Sequence, residues 1–233
     1  MKEGLFYPVN NEFDKKFSAL KNSFRSRMNG ETAQQMKKRG ITYRLNYGIA
    51  TPHIKEIAKA YSFSPSECER LWFMEIREAM LLAAMQMPQE ELTPQRMMRW
   101  SSMIKNSDIA EQAAFFLFSR MEHADAFLAD CLQQSNSLLA STAFFTAGRR
   151  LQLGSTLSNE SMTNLLQIVE KPEQLTDNLL LRGISLFLRQ GLRCNRITPI
   201  TIRKLIIWFN EMTSLGHKQL AEELTAELLY LEL

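Results

Sequence analysis

The sequence predicts an all-α protein, and three observations predict that class. Helix breakers are scarce, because the 233 residues include 9 Gly and 7 Pro, whereas the good helix former Met occurs 13 times. Convincing β alternation is absent. Apolar residues instead recur at the spacing of amphipathic helices, as in the series Ile76, Ala79, Met80, Ala83, Ala84 and Met87.

Four of the seven prolines directly follow a Ser or Thr, and we interpret these pairs as helix starts. A hydroxyl at the N-cap accepts a hydrogen bond from an orphan N–H, and Pro at the first helical position needs no donor. Ser64 also has Glu67 three residues later, which predicts a capping box. The pairs are Thr51-Pro52, Ser64-Pro65, Thr93-Pro94 and Thr198-Pro199.

Apolar helical segments follow one another along the chain with short links. They cover residues 13–28, 31–39 and 52–61 and continue through the middle to 232. Near the end the helical spacing is carried by Ile202, Leu205, Ile206 and Phe209, and then by Leu220, Leu224, Leu228 and Leu231. We expect roughly a dozen helices, packed as antiparallel pairs.

Stacked antiparallel helix pairs form an α-solenoid, also called an α-α superhelix. No strict sequence period of the tetratricopeptide or ankyrin kind is present, which favours the more degenerate HEAT-like type. No linker rich in Pro, Gly or Ser divides the chain. The sequence therefore predicts a single HEAT-like repeat domain over residues 1–233.

Several function classes lack their signatures. Cys68, Cys131 and Cys194 are far apart and odd in number, so we expect buried, reduced thiols and a cytoplasmic protein. No apolar run reaches the ~18 residues of a membrane span. His53 and the other two histidines show no metal-ligand spacing, and no Gly-rich phosphate loop or nucleophile elbow occurs. We expect no membrane association, no metal and no cofactor.

The net charge of +3 conceals two zones of positive charge. Residues 15–59, the first basic zone, contain eleven Lys and Arg against only Glu31 and Glu56. Residues 178–210, the second basic zone, contain six Lys and Arg and no acid. A curved solenoid could bring both zones to one concave surface that grips a polyanion, with phosphates the obvious target. The alternative is that these side chains are ordinary solvated charges on long helices.

Two short motifs resemble a known family. The first is Tyr47-Gly48-Ile49-Ala50-Thr51-Pro52, leading into a basic helix, and the second is Leu71-Trp72 followed by Glu75, Arg77 and Glu78 in an alanine-rich helix. In this order they resemble the DNA alkylation repair family, the AlkD-like DNA glycosylases, over roughly residues 30–120. The resemblance implies a HEAT-like solenoid whose positive concave face holds duplex DNA, and an activity that releases cationic alkylated purines.

The resemblance also places a candidate catalytic site in residues 104–115. The family motif there is approximately Trp-Asp-x-x-Asp, so Ser107 takes the position of the Trp, Asp108 that of the first Asp, and Glu111 that of the catalytic Asp. A carboxylate would stabilise the positive charge that develops on the sugar. The arginine that the family has on the next helix aligns with Ser141-Thr142, or with Arg149 in a shifted register. Read without the resemblance, Asp108 and Glu111 form a capping-box pattern that simply starts a helix.

The resemblance and the charge pattern together give a set of candidate DNA-binding residues and two hypotheses. The first hypothesis is a protein that binds double-stranded DNA, alkylated or not, with Glu111 and Asp108 catalytic if it is an active glycosylase. The second is a non-enzymatic HEAT-repeat scaffold. The three tryptophans lie in apolar helical patterns and are expected in the core. The candidate DNA-binding residues are Lys37, Lys38, Arg39, Arg44, Lys55, Lys105, Arg149, Arg150, Arg182, Arg189 and Arg193.

Overall fold

The protein is all-helical, as predicted. A computed structural model describes residues 10–232, which contain thirteen α-helices, three 3₁₀ turns and, in place of any sheet, one isolated β-bridge between Leu45 and Ile76. The helices are α1 (Asn11–Arg25), α2 (Gly30–Lys38), α3 (Thr51–Ala60), α4 (Pro65–Phe73), α5 (Arg77–Gln86), α6 (Pro94–Ser101), α7 (Ser107–Phe116), α8 (Ala124–Gln133), α9 (Ser137–Gln152), α10 (Asn159–Val169), α11 (Asn178–Arg193), α12 (Pro199–Glu211) and α13 (Leu215–Tyr230).

All four predicted helix starts are confirmed, and three of them have the predicted N-cap. Ser64, Thr93 and Thr198 are N-caps whose side chains accept a backbone N–H, and Ser64 forms the expected capping box with Glu67. The fourth pair, Thr51-Pro52, also begins a helix, but Thr51 is the first residue of α3 and not its cap: the N-cap is Ala50, without a side-chain bond. Pro fits at the second position of that helix as well, since the N–H groups of the whole first turn lack intrahelical acceptors.

The series from Ile76 to Met87 forms a helix, but not the amphipathic one that was predicted. Every residue of α5 from Arg77 to Ala84 is buried, so the helix lies in the core on all sides. Both α3 and α4 pack against it. Ile76 and Met87, at the two ends of the series, are its capping residues. Because such a helix has no polar face, its sequence pattern does not indicate which side packs against other helices.

The chain divides between Glu91 and Leu92 into two compact units. In the second unit, alternate helices form two layers: α7, α9, α11 and α13 pack side by side in one, and α6, α8 and α10 in the other. This alternation is the arrangement expected of stacked helix pairs. That the chain acts as a single domain over residues 1–233 stays a prediction.

The central helices α9 and α11 approach closely at two reciprocal glycines. A Cβ on Gly148 would lie 2.7 Å from Leu186 Cγ and 2.9 Å from the backbone nitrogen of Phe187. A Cβ on Gly183 would lie 3.0 Å from the Cβ of Phe144. The lack of a side chain at each glycine thus lets the two helices approach closely. This contact sets the distance between α9 and α11 in the layer that carries the candidate site.

The two motifs that carry the family resemblance fold against each other in the first unit. The buried carboxylate of Glu78 accepts the backbone N–H groups of Tyr47 (3.1 Å) and Ile49 (3.2 Å), while Arg77 Nη1 donates to the Ile49 carbonyl oxygen (2.8 Å). Gly48, between them, has φ of +69°, and a Cβ there would lie 2.1 Å from the Asn29 carbonyl oxygen. These motif residues therefore build a turn in the core.

The remaining expectations about the core are largely confirmed. Trp72 and Trp100 are fully buried, whereas Trp208 is half-buried with the Lys204 ammonium 4.3 Å from its ring centroid. Cys68 and Cys131 are buried and belong to no disulfide, but Cys194 is exposed, which corrects that prediction. In the described part of the chain, no helix has both the length and the apolar character needed to cross a bilayer. Within residues 10–232 no cluster of three His, Cys, Asp or Glu could hold a metal ion.

Candidate nucleic-acid interface

Four candidate cations lie together at the end of α2. Lys37 and Lys38 form its last turn, Arg39 is its C-cap, and Arg44 follows in the next segment. All four are exposed, and none forms an ion pair with a carboxylate among residues 10–232. We call these four residues the cation cluster. Because no carboxylate of the described residues compensates their charge, they present a positive surface to solvent.

The backbone fixes the position of the cation cluster. Helix α2 ends in a Schellman-type turn, in which Gly40 has φ of +79° and the Ile41 N–H donates to the Met36 carbonyl oxygen at 3.0 Å. The chain is held again a few residues later, where the Arg44 N–H donates to the Glu75 carbonyl oxygen at 3.1 Å. The cluster therefore belongs to a well-defined loop.

The second basic zone differs from the first, because its predicted DNA-binding arginines are paired. Arg182 Nη2 lies 2.8 Å from Glu111 Oε2, Arg189 Nη2 lies 4.0 Å from Glu223 Oε2, and Arg193 Nε lies 2.5 Å from Glu227 Oε1. The hydrogen bond with Glu227 raises the pKa of Arg193 further above its ordinary value. We call these three pairs the arginine ladder. It joins α7 to α11 and α11 to α13.

Arg149 and Arg182 also lie over a pair of aromatic rings. The Arg149 guanidinium is 5.5 Å from the centroid of Phe115, and that of Arg182 is 5.9 Å from the centroid of Phe145. The two rings are tilted, with centroids 6.3 Å apart. Arg149 donates to Gln152 Oε1 at 2.7 Å. Stacking on the rings fixes both guanidinium planes at low entropic cost.

Arg150 does not fit the DNA-binding role that was predicted for it. Its side chain is buried and donates to the carbonyl oxygens of Ser119 (3.2 Å), Met121 and Thr156 (3.3 Å). Burial lowers the pKa of Arg150 from its ordinary value. The sequence shows two adjacent arginines, but successive residues of a helix point in different directions. Arg149 therefore lies at the surface, whereas Arg150 joins the α7–α8 link to the α9–α10 link.

The candidate carboxylates lie on α7, although not in the capping box that was considered. The N-cap is Asn106, whose Oδ1 accepts the Ile109 N–H at 3.1 Å, and Ser107 is the first helical residue. Asp108 is the second, half-buried, and Glu111 lies nearly one turn further on. Glu111 is therefore free of any capping role, and its described partner is Arg182 from α11.

The two positions considered for the family's arginine differ in their surroundings. Ser141 and Thr142 are fully buried, and their hydroxyls donate to the carbonyl oxygens four residues earlier in α9. Arg149 instead lies over Phe115, one turn along α7 from Glu111. The cation that contacts Glu111 itself is Arg182, 71 residues away along the sequence. Sequence spacing carries no signal for such a contact.

The other two candidate cations belong to different units. Lys55 is exposed on α3 in the first unit, and Lys105 is exposed in the link between α6 and α7 in the second. The predicted set thus divides into the cation cluster, the arginine ladder with Arg149, these two single lysines, and the buried Arg150.

Comparisons with known proteins give one family and one fold. The sequence profile of a family described as DNA alkylation repair enzyme matches residues 20–195. A solved structure superposes with a TM-score of 0.74 at 15% sequence identity and covers 92% of this chain and 94% of its own. It is described as one of a new family of proteins related to the HEAT-like repeat DNA glycosylases with affinity for branched DNA structures. No curated protein sequence matches the chain. The HEAT-like fold class that the sequence predicts is confirmed.

Proposed function

The chain belongs to the DNA alkylation repair enzyme family, and from that membership we propose that it binds DNA through phosphate contacts and does not excise bases. The observation that carries the proposal is the cation cluster. Its four cations are exposed at one loop and have no carboxylate partner among residues 10–232. Their positive charge is therefore available to neutralise DNA phosphates.

Branched DNA enters the proposal beside duplex DNA. The solved structure with the same fold is described as having affinity for branched DNA structures. A branch point presents phosphates from more than one strand direction, which suits a protein whose cations are spread over separate elements. We therefore propose duplex arms and junctions as the ligands. A role on DNA also agrees with the cytoplasmic location that the sequence predicts.

Two features of α7 support binding without excision. The Glu111 carboxylate is compensated by Arg182 at 2.8 Å, so little of its charge is available to stabilise a cationic sugar. Ser107 stands where the family motif has an aromatic residue, and a serine supplies neither a stacking surface nor a desolvating wall. We therefore propose that the protein binds DNA that contains alkylated bases but does not remove those bases.

The test is fluorescence anisotropy with a blunt duplex and a four-way junction over a salt series. We expect the logarithm of the affinity to fall linearly with the logarithm of salt concentration for both ligands. No detectable binding at low salt would remove the proposal. Base release from alkylated DNA is measured in parallel with Glu111→Gln as control, and we expect both proteins at the background rate. Release that depends on Glu111 would show an active glycosylase.

A protein-binding scaffold is the second candidate, and one surface favours it. The last two helices expose large apolar side chains, with Ile200 77%, Ile207 61% and Leu229 75% exposed. Large exposed apolar patches are rare on monomeric proteins, and where they occur they often mark a protein-binding site. This candidate predicts a partner that binds equally well at high salt, in contrast to DNA.

A further inference from the structure

We propose that the cleft between α2 and residues 41–46 holds one unpaired nucleotide of a DNA strand. The inference rests on the proposed function and deepens it, because it assigns a place for single-stranded DNA next to the phosphate contacts. The cleft belongs entirely to the first unit and is separate from Glu111 and the arginine ladder.

The cleft has the size and position of a small ligand site. Its volume is about 310 Å³, and it lies between Gln34 and Lys37 of α2 on one side and Tyr43, Arg44 and Asn46 on the other. None of the nine residues of α2 is buried. Most of its side chains are therefore exposed, and those of Ala33, Gln34 and Lys37 line the cleft.

The walls of the cleft are fixed before any ligand arrives. The turn at Gly40 ends α2, and backbone bonds to Glu75 hold residues 44 and 45. The Asn46 side chain ties the two walls together, since its Nδ2 donates to Met36 Sδ at 3.4 Å and its Oδ1 accepts the Gly48 N–H at 2.8 Å. A preformed site binds with little loss of conformational entropy.

The lining residues match the parts of a nucleotide. Lys37 and Arg44 supply positive charge from opposite walls for a phosphate, and no carboxylate lines the cleft. Tyr43 supplies an aromatic ring of the kind on which unpaired bases stack, and the Gln34 amide supplies a donor and an acceptor for a base edge. Ile41 and Leu45 add apolar surface.

An unpaired nucleotide within a strand fits better than a paired base or a free nucleotide. Bases of a duplex are stacked and cannot enter a cleft without being flipped out, whereas a flap or a junction offers bases already unstacked. Lys38 and Arg39 continue the positive surface immediately beyond Lys37. They provide contacts for the neighbouring phosphates, which a free nucleotide lacks.

The experiment compares one labelled duplex with and without a short single-stranded thymidine flap. Anisotropy is measured at one salt concentration, with the wild type, Tyr43→Ala and Tyr43→Phe. We expect the flap to increase affinity roughly tenfold, Tyr43→Ala to remove that increase while blunt-duplex affinity stays within about twofold, and Tyr43→Phe to keep it, because the ring is what stacks. Equal affinity of wild type for both ligands, or equal weakening of both by Tyr43→Ala, would overturn the inference.

A second pair of variants tests the inference if circular dichroism shows that Tyr43→Ala does not fold. Arg44→Gln removes an exposed cation of the cleft, and Arg25→Gln removes an exposed arginine of the same unit that does not line it. Only Arg44→Gln should reduce the preference for the flap; an equal effect of both variants would overturn the inference.

Further outcomes distinguish a failure of this inference from a failure of the proposed function. Thymidine 5′-monophosphate should compete poorly with the flap, and competition at equal concentration would mean that the cleft takes a free nucleotide instead. Salt-dependent binding of the blunt duplex without any preference for the flap contradicts this inference and leaves DNA binding standing. Absence of binding to either DNA contradicts the proposed function itself.

Discussion

Arg182 on α11 reaches the carboxylate of Glu111 on α7, with Nη2 2.8 Å from Oε2, and at the same time lies over the ring of Phe145 on α9. One side chain thus connects three helices of the layer that carries the candidate site. Glu111, which the sequence resemblance aligns with the family's catalytic acid, is half of an ion pair. Four predictions follow from this and related contacts.

Removing the Glu111 carboxylate should strengthen DNA binding. In Glu111→Gln, Arg182 loses its anionic partner and becomes available to a phosphate. Because the Arg182 side chain is 61% exposed, we expect a gain of about two- to fivefold in duplex affinity. Anisotropy at low salt measures the gain. Glu122→Gln is the control, because it removes the same charge from an exposed residue of the same unit. An equal gain in both variants would attribute the effect to net charge alone.

The cation cluster and the arginine ladder should differ in their effect on the salt dependence. Lys38→Gln and Arg39→Gln each remove an unpaired cation, so the slope of log affinity against log salt should become shallower by about one in each variant. Arg193→Gln should leave the slope unchanged and instead lower stability by about 1–3 kcal/mol, because Glu227 is left buried without its partner. Salt titrations and urea unfolding measure the two effects. A shallower slope in Arg193→Gln would contradict this distinction, because it would mean that Arg193 meets a phosphate as an uncompensated cation.

Two glycines with the same backbone conformation should respond differently to alanine. Gly40 and Gly48 both have positive φ, but a Cβ on Gly40 meets nothing within 4 Å, whereas one on Gly48 would collide with the Asn29 carbonyl oxygen. We expect Gly40→Ala to lower the free energy of unfolding by about 1–2 kcal/mol and Gly48→Ala by about 3 kcal/mol or more. Urea denaturation measures both. Similar losses would mean that the turn at Gly48 relaxes around the added methyl.

The ion pair between α1 and α4 should make stability depend on pH. Burial alone would raise the pKa of Glu67, but hydrogen bonds from Lys16 (2.8 Å) and Ser64 outweigh it and hold the pKa below its ordinary value. The native state therefore binds this proton less readily than the unfolded state, and the stabilisation is present above the ordinary pKa and lost as pH falls through the lowered one.

Urea unfolding from about pH 6 to about pH 3 tests this dependence. The wild type should lose more stability on acidification than Glu67→Gln, which has no carboxylate to protonate. Glu90→Gln, at an exposed residue, should follow the wild type. If the wild type and Glu67→Gln lost the same stability over this range, the pair would contribute nothing.

The sequence carries the local part of this structure and little of the long-range part. Helix starts at Ser64, Thr93 and Thr198 were predictable, because a cap and its acceptor lie within four residues. The burial of α5 on all sides was not, since it depends on two other helices that cover it. The two charge zones were visible in the sequence. That Arg182 has a carboxylate partner, whereas Lys38 has none within residues 10–232, was not visible, because the partner of Arg182 comes from a distant helix. Arg149 and Arg150 have the same chemistry, and only the direction of each side chain separates surface from core.

The arginine ladder also changes how a salt titration has to be read. When a phosphate reaches an unpaired lysine, it sheds condensed cations and gives the full salt dependence. When a phosphate reaches Arg182 or Arg189, it must first displace a carboxylate, which then attracts a cation from solution in its place. The exchange is close to ion-neutral, so it adds contacts and orientation with almost no change in slope. The slope of a salt titration on this protein should therefore report phosphate contacts at the cation cluster, whereas contacts at the arginine ladder should change it very little.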